Sequence, residues 1–392
     1  MCRPGPHVLT AAGTGVAEGT ATLTETTRAG ASPSAVPDRY IGSLDGLRFF
    51  AFLLVFIHHS PDLLGYPVLR TLGRFGWVGV DLFFAISSFL FFYLLGAEMK
   101  SASRIDAPKF YMRRILRIYP LMILFPLLMW AIFGNQDGAA PYRFLALTVF
   151  VDNFVTWFRS YNASIAYSGH LWTLSFEFQI YLLIPFVFLA YIRIGAAAFL
   201  KLLGGVFLGC LLARIAFFGL GAQHPIIWVT PFLRPESILA GMALAVLRPA
   251  WRWEYSLAVA VVAALVFTSM RLPWSSATSS VFSYPVAALM CAALIDLAIR
   301  APGPRRWLSW GPVRWLGAIS FGLYVYHLLA IGMTGRLMAA FIDLPPSNLR
   351  VVVSTLLSLL MTIALAALSY RFVERPFLRL KDKVTVVVGR PV

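Results

Sequence analysis

The sequence predicts an all-α, polytopic membrane protein with about ten transmembrane helices in one bundle. Of its 392 residues, 59% are hydrophobic and 13% are charged, whereas about a quarter of the residues in an ordinary soluble domain are charged. The mean hydropathy is +0.76, and apolar runs of about 20 residues, the length that crosses a bilayer, recur along the chain. A water-soluble fold could not bury so much apolar side chain, because charged residues must cover its surface.

Ten apolar runs account for the expected spans. In chain order they are 48–65, 77–96, 115–133, 170–192, 202–220, 232–247, 254–270, 281–299, 315–337 and 350–372. A further run, 142–158, contains or adjoins Arg143, Asp152, Asn153 and Arg159. Because charges at bilayer depth are costly, we expect this run to be interfacial or re-entrant rather than a span.

The basic residues predict the orientation of the bundle. Lys and Arg cluster at the ends of the apolar runs, as they do in cytoplasmic loops. Ten crossings with a cytoplasmic N-terminus place most of the 33 basic residues on the inner side. An eleventh crossing at 142–158 would put the basic loop 300–314 and the basic C-terminus outside. We therefore predict ten spans, both termini cytoplasmic, and a multi-pass location in the cell inner (plasma) membrane.

Three regions are expected along the chain. Residues 1–38 are rich in Thr, Ala, Gly, Ser and Pro and are predicted to be a disordered leader. They lack the apolar stretch of about 7–15 residues that a secretory signal needs. Residues 39–380 form the expected transmembrane domain, and residues 381–392 a cytoplasmic tail.

Two other classes of site are disfavoured. A net charge of +16 would suit a nucleic-acid-binding protein, but the position of the charges beside the spans explains it better, so no nucleic-acid partner is expected. The three cysteines, Cys2, Cys210 and Cys291, are too few and too scattered for a disulfide framework or a metal site.

Polar groups inside the first span are the first functional candidates. Asp45 and Arg48 precede an apolar helix that reaches His58 and His59. Eleven residues separate Arg48 from His59, so the imidazole lies about 16 Å along the helix. The alternative interpretation is a buried neutral histidine that hydrogen-bonds a neighbouring helix.

Two arginines at the start of the third span form a second candidate. Arg114 and Arg117 are three residues apart and therefore share a helix face. Their guanidinium groups could hold phosphates bidentately. The alternative is that they are positive-inside anchors.

The fourth span carries an acid. His170, Leu174, Glu177 and Tyr181 recur at intervals of four, three and four and line one helix face. Glu177 lies about 10 Å from the outer end of this helix, and an acid at that depth indicates a functional site. The alternative is an intramembrane ion pair with Arg234.

The remaining polar groups in apolar surroundings have plainer interpretations. Asp81 and the Arg234 to Glu236 segment could form local salt bridges or caps. His327 is expected to pack or to form a hydrogen bond in the middle of its helix.

Seven segments together resemble the acyltransferase-3 family of membrane O-acyltransferases, over about residues 41–380. They are LDGLR (Leu44 to Arg48) with His59, GVDLFFAIS (Gly79 to Ser87), RRILRIYP (Arg113 to Pro120), HLWTLSFEFQIYLLIP (His170 to Pro185), Arg234 and Glu236 before Gly241, SFGLYVYH (Ser320 to His327), and ERP (Glu374 to Pro376). The resemblance implies about ten helices and transfer of an acyl group, often acetyl, to carbohydrates or similar acceptors.

The resemblance also implies roles for particular residues. The family's essential histidine falls on His59, its acid on Glu177, its paired arginines on Arg114 and Arg117, and its LDGLR arginine on Arg48. Further expected substrate- or donor-binding residues are His170, Trp172 and Arg234. The chain departs from the family at Ser87-Ser88-Phe89, where Ser-Gly-Phe is common, so we expect an effect on helix approach or acyl-chain preference.

These observations predict an O-acyltransferase with no bound cofactor. Acyl-CoA, most simply acetyl-CoA, would enter from the cytoplasm with its phosphates on Arg114 and Arg117. A carbohydrate or glycolipid hydroxyl would enter from the outer side of the bilayer. His59 would remove the hydroxyl proton, with Glu177 orienting the imidazole; direct transfer and a transient acyl-histidine both fit.

Alternative functions are a transporter or flippase for a lipid-linked sugar, and acylation of a macrolide-type small molecule. A non-catalytic scaffold would leave His59 and Glu177 unexplained.

Overall fold

A computed structural model describes residues 40–60, 67–135, 137–161, 164–222, 224–341 and 348–383. Every regular element in these residues is helical, which confirms the all-α prediction. The predicted leader, 1–38, and residues 384–392 of the predicted tail lie outside the described residues.

The helices fall into long and short groups. The long ones are α1 (Gly42–His59), α3 (Val78–Ala102), α4 (Ala107–Phe133), α7 (Trp172–Gly219), α9 (Glu236–Leu247), α10 (Trp253–Ser269), α11 (Ala277–Arg300), α14 (Ser320–Phe341) and α15 (Asn348–Ser369). The short ones are α2 (Pro67–Phe75), α5 (Ala140–Thr148), α6 (Asp152–Arg159), α8 (Ile226–Val229), α12 (Pro302–Leu308), α13 (Gly311–Ala318) and α16 (Arg375–Lys383). A 3-10 turn (Pro231–Leu233) precedes α9, and a π-helical turn (Tyr370–Glu374) joins α15 to α16.

Several of these helices are long and apolar enough to cross a membrane. Five qualify alone, and α13 with α14 form a sixth candidate bent by 72°. The predicted spans 170–192 and 202–220 lie in α7, which is interrupted by non-helical backbone at Gly195 with φ of 79°. The chain is thus a multi-pass membrane protein, while the count of ten spans and the side of each terminus remain predictions.

The doubtful run 142–158 forms two short helices, α5 and α6, of nine and eight residues. Each is only roughly 12–14 Å long, less than half of the apolar thickness of a bilayer. The guanidinium of Arg143 forms a 3.1 Å ion pair with Asp152, and both side chains are buried. The run therefore folds back on itself instead of forming one span.

Close helix contacts join α1, α3 and α9. A Cβ atom on Gly79 of α3 would lie 2.2 Å from the carbonyl oxygen of Ala51 in α1, and one on Gly241 of α9 would lie 2.3 Å from that of Ala85 in α3. Only glycine fits such contacts, which are typical of helix pairs in membranes. This packing fixes α1 and α3, which carry several of the polar residues described next.

Ser87 and Ser88, at the position where the chain departs from the family, lie on two different faces of α3. Ser88 is buried and donates its hydroxyl to the Ala85 carbonyl at 3.1 Å, and it packs against Gly241, where an added Cβ would lie 2.2 Å from its oxygen. Ser87 faces a cavity instead. The serine in place of the family's glycine therefore affects the contact with α9.

Candidate active site

Two cavities meet inside the bundle. The first, which we name the arginine cavity, is lined by Arg48, Arg114, Arg117, Ser87, Glu177 and Tyr181, among others. The second, the aromatic cavity, is lined by His59, His170 and Trp172, among others. Val80, Thr173 and Tyr324 line both cavities and form the wall between them.

The arginine cavity brings together the three arginines that the sequence singled out. Arg48 forms a 2.9 Å ion pair with Asp45, which also accepts a 2.5 Å hydrogen bond from the Tyr40 hydroxyl. The guanidinium of Arg114 lies 4.5 Å from the centre of the Phe91 ring. Three guanidinium groups on two helices, α1 and α4, make this cavity suited to an anionic ligand such as a phosphate.

Glu177 lies in the arginine cavity, half-buried. Its carboxylate accepts a 2.8 Å hydrogen bond from the Ser87 hydroxyl and a second from the Tyr181 hydroxyl. The prediction that Glu177 orients the His59 imidazole is therefore wrong. The alternative, an ion pair between Glu177 and Arg234, is also wrong. The reason is that α7 presents Glu177 to the same cavity as Arg48, whereas His59 lines the other cavity.

The aromatic cavity surrounds the C-terminal end of α1. Its wall includes His58, His59 and His170 together with seven large aromatic side chains, Trp77, Tyr161, Tyr167, Trp172, Trp228, Trp274 and Tyr324. The rings of Trp228 and Trp274 meet at 5.6 Å in a T-shaped pair. Of the predicted binding residues, His170 and Trp172 both lie here. Rigid aromatic faces with a few polar groups suit an amphipathic ligand.

His59 contacts a histidine from a distant part of the chain. Its Nδ1 lies 3.0 Å from the Val55 carbonyl oxygen and 3.2 Å from Nε2 of His327 in α14. His58 instead donates from Nδ1 to the Gly73 carbonyl at 2.7 Å. The interpretation of His327 as a hydrogen-bonding residue is confirmed, and its partner is the histidine predicted to be catalytic.

The wall between the cavities is held by hydrogen bonds. The hydroxyl groups of Thr173 and Tyr324 are 2.7 Å apart, and Tyr324 also donates to the His170 carbonyl at 3.0 Å. The His170 ring is buried, and its only polar contacts within the described residues are weak ones to the backbone of Tyr324 and Val325. Because weakly satisfied buried groups are costly, this ring is a candidate to bind a ligand in the aromatic cavity.

Arg234, a predicted binding residue, is absent from the lining of both cavities. It is buried, pairs with Asp81, and lies with its guanidinium 3.8 Å from the centre of the Trp228 ring. Asp81 also accepts a 2.8 Å hydrogen bond from Ser237. A buried arginine needs an anionic partner, and Asp81 is that partner for Arg234. Because the paired guanidinium lies against the Trp228 ring, Arg234 supports the wall of the aromatic cavity.

One carboxylate orders the loop region beside the aromatic cavity. Asp137 accepts hydrogen bonds from the Ala139 amide at 3.0 Å and from the Ser164 hydroxyl at 3.1 Å, and its ion pair with Arg159 is 3.2 Å long. The Ala139 amide and the Ser164 hydroxyl lower the pKa of the Asp137 carboxyl. Tyr161, which lies between Arg159 and Ser164 in the chain, lines the aromatic cavity, and its hydroxyl lies 2.8 Å from Nε2 of His224.

Sequence reasoning missed three features of the site. Thr173 and Tyr324 stand out in the sequence only as members of motifs, and the aromatic residues of the cavity other than Trp172 are scattered from Trp77 to Tyr324. Tyr324 and His327 are three residues apart and thus share one helix face, a spacing that could have marked them. No group of three metal-ligating side chains in the described residues is arranged to hold a metal ion.

A comparison with protein families gives the decisive observation. The acyltransferase-3 model, described as an acyltransferase domain, matches residues 41–371. The chain belongs to the acyltransferase-3 family. The residues matched by the family model correspond to an acyltransferase domain.

Curated relatives of this acyltransferase are named for O-acetylation. The chain is 25% identical over 366 residues to YrhL of Bacillus subtilis, provisionally named a peptidoglycan O-acetyltransferase. It is 24% identical over 363 residues to the peptidoglycan O-acetyltransferase OatA of Listeria monocytogenes, and 26% over 364 residues to the O-acetyltransferase OatA of Staphylococcus aureus. Each alignment covers 86% of this chain and 55%, 56% and 57% of the respective relative. The chain thus spans little more than half of their length. No solved structure matches the chain closely enough to be reported.

Proposed function

We propose that the protein transfers an acetyl group from acetyl-CoA, bound in the arginine cavity, to a carbohydrate hydroxyl in the aromatic cavity. One observation carries this proposal. A single helix, α1, presents Arg48 to the first cavity and His59 to the second, and the two cavities share a wall. A donor anchored by its phosphates and an acceptor held beside a base would meet there.

The donor site rests on charge. Arg48, Arg114 and Arg117 supply planar, permanently charged donors that match phosphate oxygens. The thioester arm of the donor would then extend along α1 toward the wall. Glu177, already held by Ser87 and Tyr181, presents a carboxylate that can accept a hydrogen bond from an amide of this arm. Glu177 in this scheme positions the donor.

The acceptor site rests on the aromatic side chains. A sugar ring has one face of C–H groups that packs on an aromatic ring, while its hydroxyls seek polar partners such as His170. The names of the relatives point to a glycan as the acceptor class. A glycolipid would bind in the same way through its sugar.

The reaction needs one proton to move twice. His59 takes the proton of the acceptor hydroxyl, whose oxygen bonds to the thioester carbonyl carbon. The carbon–sulfur bond then breaks, and the thiolate of CoA receives the proton from the His59 imidazolium. A transient acetyl-imidazole on His59 would give the same products in two steps.

Membrane orientation completes the proposal. With ten spans in the plasma membrane and both termini cytoplasmic, the N-terminal half of α1 lies on the inner side. The arginine cavity then faces cytoplasmic acyl-CoA, and the aromatic cavity faces the extracytoplasmic acceptor. The acetyl group would cross most of the membrane inside the protein.

The experiment uses the full chain reconstituted in lipid nanodiscs with radiolabelled acetyl-CoA and peptidoglycan fragments. We expect acetyl ester on the glycan, and we expect His59→Ala to lower its formation by at least about 100-fold, since a positioned base contributes about 10²–10⁴-fold. Ser60→Ala, next to His59 in the chain but outside the lining of both cavities, is the matched control and should retain most activity. Full activity of His59→Ala would refute the mechanism. Sealed proteoliposomes that move a lipid-linked sugar but form no ester would identify a transporter instead.

A further inference from the structure

We propose that His327 sets the tautomer of His59 and shares the positive charge that His59 acquires, so that the base of this enzyme is a pair of imidazoles. The proposal rests on the proposed function only in taking His59 as the base. His327 would act as a positioning residue, because it touches His59 and not the substrates.

The tautomer of His327 follows from its partner. Nδ1 of His327 lies 2.5 Å from the carbonyl oxygen of Tyr324. A carbonyl oxygen only accepts hydrogen bonds, so Nδ1 must carry the hydrogen. In a neutral imidazole the other nitrogen then has a lone pair. Nε2 of His327 is therefore an acceptor, and it points at His59.

The tautomer of His59 follows in turn. Its Nδ1 faces two acceptors, Nε2 of His327 at 3.2 Å and the Val55 carbonyl oxygen at 3.0 Å. Only a protonated Nδ1 satisfies both, through a shared hydrogen bond. Nε2 of His59 is left with the lone pair that a general base needs. Two backbone carbonyls, at Val55 and Tyr324, thus determine the protonation of two side chains.

The surroundings hold the pair in place. The His327 ring is fully buried and meets the Phe52 ring at 6.3 Å. The titratable groups that face the pair are His58, 5.0 Å from the His59 ring, and His170 and Tyr324, 4.8 and 5.6 Å from the His327 ring. When these three side chains are neutral, they place no charge beside the pair. A proton transferred to His59 would therefore stay on the His59–His327 pair.

The His59–His327 pair stabilises the positive charge that forms on His59 during the reaction. When Nε2 of His59 accepts the hydroxyl proton, its ring becomes an imidazolium, and the Nδ1–H bond to His327 becomes charge-assisted and stronger. His327 thereby does for His59 what a carboxylate does in a catalytic triad. The proton leaves on the CoA sulfur, so neither histidine is changed at the end of the cycle.

Three substitutions at His327 distinguish the effect of its Nε2 lone pair from the effect of its packing. His327→Gln places an amide oxygen near the position of Nε2 and keeps an acceptor for His59. His327→Asn carries the same amide but is one methylene too short to reach, and His327→Leu has no acceptor. We expect kcat to fall by about 100-fold in the Asn and Leu variants and to stay within about tenfold of the native value in the Gln variant. KM for acetyl-CoA should not change in any of them.

A second measurement does not depend on these variants. In the native protein labelled with ¹⁵N-histidine, solid-state NMR should show a protonated Nδ1 and an unprotonated Nε2 on His59, assigned with His59→Gln. A His59 ring protonated at Nε2 overturns the proposal, as does a Gln variant as slow as the Leu variant or a Leu variant as fast as the native enzyme. Full activity of His59→Ala would instead overturn the proposed function, and the tautomer measurement would still decide the structural part.

Discussion

The hydroxyl groups of Thr173 and Tyr324 lie 2.7 Å apart in the wall between the arginine and aromatic cavities. The first residue belongs to α7 and the second to α14, 151 positions further along the chain. Any acyl group that passes from one cavity to the other must pass beside this hydrogen bond.

Removing the Tyr324 hydroxyl should weaken the wall. Tyr324→Phe loses the bonds to Thr173 and to the His170 carbonyl, each worth about 0.5–1.5 kcal/mol, and keeps the ring. We expect water to reach the thioester more easily, so the ratio of free acetate to acetyl ester should rise several-fold. The control is Tyr326→Phe on the same helix, which should leave the ratio unchanged; an unchanged ratio in Tyr324→Phe would argue against the wall.

Arg117 should act through the phosphates of the donor. Arg117→Gln removes charge-assisted hydrogen bonds worth about 1.5–3 kcal/mol, so KM for acetyl-CoA should rise by about 10–100-fold. S-acetyl-pantetheine lacks the phosphates, and its KM should not respond to the change. Arg113→Gln is the matched control, because Arg113 pairs with Glu98. Equal effects on both donors would contradict a phosphate role.

Trp274 should bind the acceptor. Its side chain is 41% exposed and lines the aromatic cavity. Trp274→Ala should raise KM for a glycan acceptor by about threefold to tenfold, as expected for loss of an aromatic contact worth about 0.5–1.5 kcal/mol, with KM for acetyl-CoA unchanged. Trp310→Ala, at an exposed tryptophan outside this cavity, should have no effect on either constant. A change confined to acetyl-CoA would exclude this role.

Arg234 should matter for stability more than for binding. Arg234→Leu leaves Asp81 buried without its ion pair, a change that costs about 3–5 kcal/mol. We expect a marked fall in the unfolding temperature in detergent. The double variant Asp81→Leu with Arg234→Leu should recover part of the loss, because it removes both charges. A stable single variant with a raised acceptor KM would restore the binding role that the sequence suggested.

Acid should loosen the loop region around Asp137. The hydrogen bonds from Ala139 and Ser164 lower the pKa of its carboxyl below the ordinary value of 3.8. The stabilisation is therefore complete above pH 3.8 and is lost as the pH falls through the lower folded pKa. Thermal unfolding between pH 6 and pH 3 should show a smaller loss of stability in Asp137→Asn than in the native protein. Identical pH profiles would count against this contribution.

The sequence allowed the local parts of the site to be predicted. Arg48 and His59 share one helix, and Arg114 and Arg117 share another, so helical spacing was enough to group each of these pairs. His170 was expected on the helix of Glu177, but it lies in the turn just before α7 begins at Trp172. Their arrangement between helices was harder. Glu177 was expected beside His59, yet it lies in the arginine cavity with Ser87 and Tyr181.

The missed partnerships join residues far apart in the chain. His59 and His327 are 268 positions apart, and Arg234 and Asp81 are 153 apart. No periodicity links such positions, because helix packing decides which faces meet. The close packing at Gly241 brings α3 against α9, and Arg234, two residues before α9, can then pair with Asp81 of α3.

The rigid helix α1 fixes the distance that a donor must span between Arg48 and His59. An anion held at Arg48 is separated from the His59 imidazole by about 16 Å of helix, and a helix does not shorten. A compact activated acetate, such as an acetyl phosphate, could occupy the anion end but would leave its carbonyl far from the base. In the proposed donor site, a carrier with a long arm between its phosphates and its sulfur would reach both ends at once.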